Sequence, residues 1–203
     1  MKLFYSPTSP FVRKVVVVLK ETGQFEDVEL ISAQTAPTAP ADVLSGRVPL
    51  GKVPALERAD GPTLFDSRVI CAYFDNRASA GLYGSGARVW EMRTLEALAD
   101  GILEAAVLMT YESRLRPEDK QWETWVDAQW MKISRAIDAI NAQWMSHLAG
   151  PMTIGQIAVA CALSYVDFRH GSRNWRQGND ALAQWYVGFA SRDSMQSTTP
   201  PEG

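Results

Sequence analysis

The sequence predicts an α/β half followed by an all-α half. Over residues 1–77 short apolar runs of strand length alternate with helical stretches. A glycine-rich stretch follows at 78–87, and from 88 onward apolar residues recur at helical spacing. The expected division is therefore a first domain over 1–77, a linker over 78–87 and a helical domain over 88–203. The chain has 203 residues, of which 46% are hydrophobic, with seven Trp, seven Phe and six Tyr; that is enough for one large core or two small ones.

Leu3–Tyr5 reads as a short strand. Ser9-Pro10 reads as a helix start, serine at the N-cap and proline at the first helical position. Phe11, Val15, Val18 and Leu19 share one helical face, and Gly23 ends the helix. The valine run disfavours helix by propensity, but the caps and the period outweigh it. Val28–Leu30 alternates with acidic residues, as in a half-buried strand, and 33–42 is an irregular Ala/Thr/Pro connection. Val53–Leu56 is a third strand; Asp60-Gly61 turns into a fourth, Thr63–Phe65. Asp66 or Ser67 then caps a helix carrying Val69, Ile70, Tyr73 and Phe74.

In the second half, Leu95, Leu98, Ile102 and Ala106 mark one long helix, and a further helix begins after Pro117. Trp122, Val126, Trp130, Ile133, Ile137, Ile140 and Trp144 form a continuous stripe that reads as core. Thr153 and Gln156 make a capping box, with Met152 and Ile157 as a hydrophobic staple. A last helix spans 180–190, and the tail from Ser194, with Pro200-Pro201, is expected to be loosely packed.

The net charge is -3 and no long basic run occurs, which excludes nucleic acid as an expected partner. The N-terminus lacks the apolar segment of a secretory signal, and the longest aliphatic run, Val15–Leu19, is too short to cross a bilayer. Cys71 and Cys161 are the only cysteines, which excludes a disulfide framework; His147 and His170 have no metal-ligand spacing and read as surface or helix-end residues. The expectation is a cytoplasmic protein without a metal or membrane contact.

Three segments offer chemistry. Ser9 stands where a helix leaves backbone N–H groups unpaired and carries partial positive charge. A thiol there would ionise more readily: lowering its pKa from about 8.5 by about two units needs about 2.7 kcal/mol, within reach of a hydroxyl hydrogen bond plus the helix end. Taken alone, Ser9 reads as an ordinary cap. In Gly51-Lys52-Val53-Pro54, a cis Val53-Pro54 bond would present the Val53 backbone to an incoming peptide; an ordinary trans proline at a sheet edge is the alternative. Asp66-Ser67 offers N–H groups and a hydroxyl for a carboxylate, and a carboxylate for an amine, or else simple capping.

In order, Tyr5-Ser-Pro-Thr-Ser9-Pro-Phe-Val-Arg-Lys-Val15, Pro49-Leu-Gly-Lys-Val-Pro-Ala-Leu56, Leu64-Phe-Asp-Ser-Arg-Val-Ile70 and Thr153-Ile-Gly-Gln-Ile-Ala158 resemble the soluble glutathione transferase superfamily, specifically the bacterial group with a serine near the first helix. The resemblance implies a thioredoxin-like glutathione-binding domain followed by the family's all-helical domain. It implies that Ser9 meets the glutathione sulfur, that Val53 pairs with the cysteinyl part beside a cis Pro54, and that Asp66 and Ser67 hold the γ-glutamyl end. Lys52 becomes a candidate for the glycine carboxylate, and Tyr5 the runner-up for the sulfur. The second substrate, a small hydrophobic electrophile, is expected near Thr8, Phe11 and Tyr111. A homodimer through the helix around 88–114 is implied, with Asp100 reaching the partner's glutathione.

The chain departs from the family in three places. Gln156 replaces the usual aspartate of the capping box, Arg47 and Val48 alter the loop before Pro49, and no cysteine lies near Ser9 for a mixed disulfide through this helix. The implied activity is a detoxifying glutathione transferase that needs glutathione as co-substrate and no metal. The alternatives are a glutathione-dependent peroxide or disulfide reductase, a non-catalytic glutathione binder, and a scaffold without glutathione.

Overall fold

The computed structural model describes residues 1–201. It forms two compact units: Met1–Tyr83 joined by the C-terminal segment from Asp193, and Gly84–Arg192.

The first unit is thioredoxin-like. Strand β1 (Lys2–Tyr5) lies between β2 (Glu29–Ser32) and β3 (Ala55–Glu57), parallel to β2 and antiparallel to β3. β2 begins one residue later than the alternation predicts, because the Val28 N–H closes a 3-10 turn onto the Phe25 carbonyl at 3.3 Å. β3 begins after Pro54, which has no N–H for the ladder. The expected fourth strand shrinks to one bridge, Leu56 to Leu64, with both N–H···O bonds at 2.9 Å. Pro62 and the helix start at Asp66 leave no room for a longer ladder.

Helix α1 (Pro10–Glu21) is buried from Val12 to Leu19 around its whole circumference, while Phe11 is half-buried. The single apolar face expected from periodicity is therefore too narrow. Burial also explains how the valines remain helical. The propensity cost of Val15–Val18 is roughly 2–3 kcal/mol against alanine. Burying the four side chains contributes about 6 kcal/mol or more. Helix α2 (Ser67–Ala78) packs beside α1 and ends at Ser79 in the left-handed conformation. Leu82 and Tyr83 of the glycine-rich stretch are buried, and the Asp75 carboxylate accepts the Leu82 N–H at 2.7 Å.

The tail is not loose. A short helix α8 (Asp193–Gln196) lies on α1, and Met195 is 1% exposed. The Arg13 guanidinium donates to the Met195 carbonyl at 3.0 Å and to the Thr198 hydroxyl at 3.2 Å. A polar composition suggested weak packing, but one cation on an apolar helix gives the tail its anchor.

The second unit is a helical domain: α3 (Arg88–Leu115), α4 (Glu123–Gln143), the single-turn α5 (Met145–Leu148), α6 (Ile154–His170) and α7 (Asp180–Ala190). α6 is its core and is buried continuously from Ile154 to Leu163. The capping box at its start closes with the Thr153 N–H on Gln156 Oε1 at 2.9 Å. Gln156 Nε2 donates to the Leu148 and Gly150 carbonyls at 2.8 and 3.0 Å. The amide thus pins the preceding turn, which an aspartate has no donor to do. The aromatic stripe of α4 is core only in its middle, at Ile133, Ile137 and Ile140; Trp122 is 63% exposed. Stripe continuity does not decide burial at an end where no neighbouring helix covers the position.

Candidate functional site

The ladder of the first unit gathers the sequence-selected segments at one end of the sheet. β1 runs out through Tyr5 into the loop before Ser9. Phe4 pairs with Ala55, so the Val53–Pro54 peptide approaches β3 beside that exit. Leu64 pairs antiparallel with Leu56, which brings Asp66 back to the same end. Two helix beginnings and one open stretch of backbone therefore meet where β1 ends.

Ser9 is the N-cap of α1. Its Oγ accepts the Val12 N–H at 3.4 Å, which leaves the hydroxyl hydrogen available to another acceptor. Ser9 is half-buried, as are Tyr5, Thr8 and Phe11. The Val53–Pro54 bond is cis. Among the described residues the Val53 N–H and carbonyl take part in no hydrogen bond of the ladder or the adjoining turns. The side chain of Val53 packs on the cluster of Phe4, Ala33, Leu44, Val48 and Ala55. This fixes the orientation of its backbone.

Asp66 is the N-cap of α2, its Oδ1 accepting the Arg68 N–H at 3.0 Å. Its carboxylate is exposed, whereas Ser67 is 2% exposed. Lys52 is exposed and lines a cavity of about 620 Å³ enclosed by the loop from Thr35 to Lys52. The Thr35 hydroxyl donates to the Gly51 carbonyl at 2.8 Å and ties the two ends of that loop together. Gly51 has φ of 60°, a conformation that a side chain would strain.

In the helical unit Tyr111 is half-buried, and burial first, then the neighbouring Tyr165, raise its phenol above the ordinary value. Asp100 is 1% exposed, so its carboxylate does not stand on the surface where an approach to a partner's ligand was expected. His147 reaches Glu91 at 3.0 Å. His170 is the last residue of α6, a helix-end residue as expected, and is half-buried; its Nε2 donates to the Ala106 carbonyl at 2.9 Å, because a carbonyl can only accept. Neither cysteine is joined in a disulfide, and both are buried. Among the described residues no helix is long and apolar enough to cross a membrane.

The family model of the Glutathione S-transferase N-terminal domain matches residues 8–77, and that of the C-terminal domain matches 123–187. The chain is similar over its whole length to the GST-like protein YibF of Escherichia coli K12, at 34% identity and with all of both chains covered. It is similar to a crystal structure of a glutathione transferase family member from Pseudomonas fluorescens Pf-5 with bound glutathione: 46% identity, TM-score 0.95, 98% of each chain. A crystal structure of a family member from the same organism with bound S-(propanoic acid)-glutathione is 44% identical, with TM-score 0.91, over 99% of this chain and 100% of that one. A glutathione S-transferase of Methylobacillus flagellatus KT with glutathione bound is 33% identical, with TM-score 0.87, over 98% of this chain and 99% of that one. Ser9, Lys52, Val53, Pro54, Asp66 and Ser67 lie within the matched N-terminal domain, and the chain belongs to the glutathione S-transferase family.

Proposed function

We propose that the protein is a glutathione transferase whose glutathione lies at the end of the sheet where Ser9, Val53 and Asp66 converge. The unpaired Val53 backbone takes the cysteinyl peptide as an added edge. The start of α2, with Asp66 and Ser67, holds the amine and carboxylate of the γ-glutamyl end. Lys52 faces the glycine carboxylate. The Ser9 hydroxyl, already accepting from Val12, donates its hydrogen to the sulfur and stabilises the thiolate together with the helix end. The thiol proton passes to solvent, and the thiolate forms a carbon–sulfur bond as a leaving group departs or an activated alkene takes up a proton.

The observation that supports this reading most is the open Val53 backbone between two helix starts, in a chain 46% identical to a glutathione-bound relative. The S-(propanoic acid)-glutathione bound in the second structure of that same relative favours an electrophile that leaves a short carboxylate-bearing chain on sulfur. Assembly as a homodimer in the cytoplasm completes the reading. The occupant of the groove beside Ala97, Gly101 and Ala105 on α3 is then a second copy.

Calorimetry with reduced glutathione, combined with thiolate absorbance across pH, tests the proposal. The expected result is saturable binding, with the bound thiol ionising at a pH about one to two below that of the free tripeptide. Ser9→Ala keeps binding and loses the early ionisation. No saturable heat at millimolar glutathione overturns the site; binding with an unaltered thiol overturns catalysis and leaves a binder.

A further inference from the structure

The helical unit encloses a cavity of about 670 Å³ among the last turns of α3, the start of α4 and the end of α6 with the turn that follows. Its wall carries Arg114, Arg169, His170 and Arg173, with the Thr110 and Ser113 hydroxyls beside them. Two carboxylates, Glu112 and Glu123, also line the cavity, against three arginines. Glu112 accepts from Arg116 at 2.8 Å and from the Trp122 N–H at 3.0 Å. Glu123 is exposed at the first position of α4, and Asp127 pairs with Arg173 at 2.9 Å. Among the described residues no carboxylate pairs with Arg114 or Arg169.

Arg169 is the anomaly. Its Nε is a buried donor without a hydrogen-bond partner. Its guanidinium carbon lies 3.9 Å from the centre of the Phe168 ring. Burial first, then the Arg114 guanidinium, lower its pKa, opposed by its interaction with Tyr165; burial first, then Arg173 and Arg169, act in the lowering direction on His170. A group of cations that repel one another, one of them with an unused buried donor, is stabilised by an anion. Met109, Val126 and Phe168 give the same cavity an apolar side. Its volume suits a small molecule rather than a peptide or polymer.

We propose that this cavity binds a small organic carboxylate with an apolar body, the carboxylate held by the Arg169 and Arg114 guanidiniums and the body resting against Met109, Val126 and Phe168. The planar fork of arginine matches a carboxylate with two parallel hydrogen bonds, which explains guanidiniums here rather than ammoniums. The site is built from the helical unit alone and does not depend on the glutathione reading.

Calorimetric titration of the full chain, without glutathione, using phenylacetate and separately inorganic phosphate, tests it. Phenylacetate is expected to saturate one site per chain. Arg169→Met weakens it by about tenfold or more, the worth of one charge-assisted pair. Arg169→Lys also weakens it, because the fork is lost. Arg114 is exposed, so Arg114→Gln preserves folding and still weakens binding about threefold, which keeps the test open if Arg169→Met unfolds. Phosphate binding more weakly than phenylacetate supports the apolar wall; equal or tighter phosphate binding overturns it. No saturable phenylacetate binding, or an affinity indifferent to both arginine variants, overturns the site.

Discussion

The Arg13 guanidinium donates to the Met195 carbonyl at 3.0 Å across 182 positions of sequence, and so fastens the end of the chain to the first helix of the thioredoxin-like unit. Because Arg13 is itself buried, cutting this contact takes an acceptor away from a buried charge.

Truncation after Arg192 is therefore expected to destabilise the first unit. Burial of Met195 contributes about 1.5–3 kcal/mol. The charge-assisted hydrogen bond contributes about as much again. Met195→Ala alone should cost roughly 2–4 kcal/mol. Urea unfolding followed by far-ultraviolet dichroism measures both; a midpoint unmoved by the truncation contradicts the anchoring.

Gly155 of α6 packs against Leu95 of α3. A Cβ there stands 2.7 Å from Leu95 Cδ2 and 3.1 Å from Leu95 Cγ. Helix propensity favours alanine over glycine by about 1 kcal/mol. Overpacking costs about 1–3 kcal/mol and decides the sign. Gly155→Ala should thus lower stability. In combination with Leu95→Ala it should cost less than the sum of the two single changes, as read from a double-mutant cycle in urea. Additive losses would show that the helices relax independently of this contact.

Gln156 combines two roles: its Oε1 accepts the Thr153 N–H, and its Nε2 donates to the Leu148 and Gly150 carbonyls. Gln156→Asp shortens the side chain and removes the donor to the Leu148 and Gly150 carbonyls, a loss of about 1–3 kcal/mol. Gln156→Glu should cost more, since it keeps the length and turns a carboxylate toward two carbonyl oxygens. Thermal unfolding ranks the variants. A glutamate variant as stable as the parent would mean that the amide hydrogens matter little.

The legible features of the sequence were those set by local chemistry. Ser9-Pro10, Thr153-Gln156 and Asp66 became caps because a side-chain acceptor and a missing N–H act within three residues. Strand limits shifted where a distant partner decided them, as at Leu56–Leu64. Burial escaped the pattern where neighbours come from afar: α1 is enclosed partly by α8, and Trp122 has no cover. The basic cluster has a trace in Phe-Arg-His-Gly-Ser-Arg, residues 168–173, but Arg114 joins it only through the contact of α3 with α6. That contact lies beyond any local window.

His170 gives the helical unit a pH dependence whose direction is fixed. Burial first, then Arg173 and Arg169, lower its pKa, while the hydrogen bond to the Ala106 carbonyl opposes them. The imidazole in the unfolded chain takes up a proton near its ordinary value of 6.5, whereas in the folded chain it does so only at lower pH. The unfolded state then binds more protons, so stability is lost as pH falls from about 6.5 toward the folded value and is unaffected above that range. His170→Gln keeps a donor for Ala106 and removes the titration. The urea midpoint of the parent should fall between about pH 7 and 5.5, with the variant falling less, while the two run parallel between about pH 7 and 8. Equal losses below neutrality would place the proton on another group.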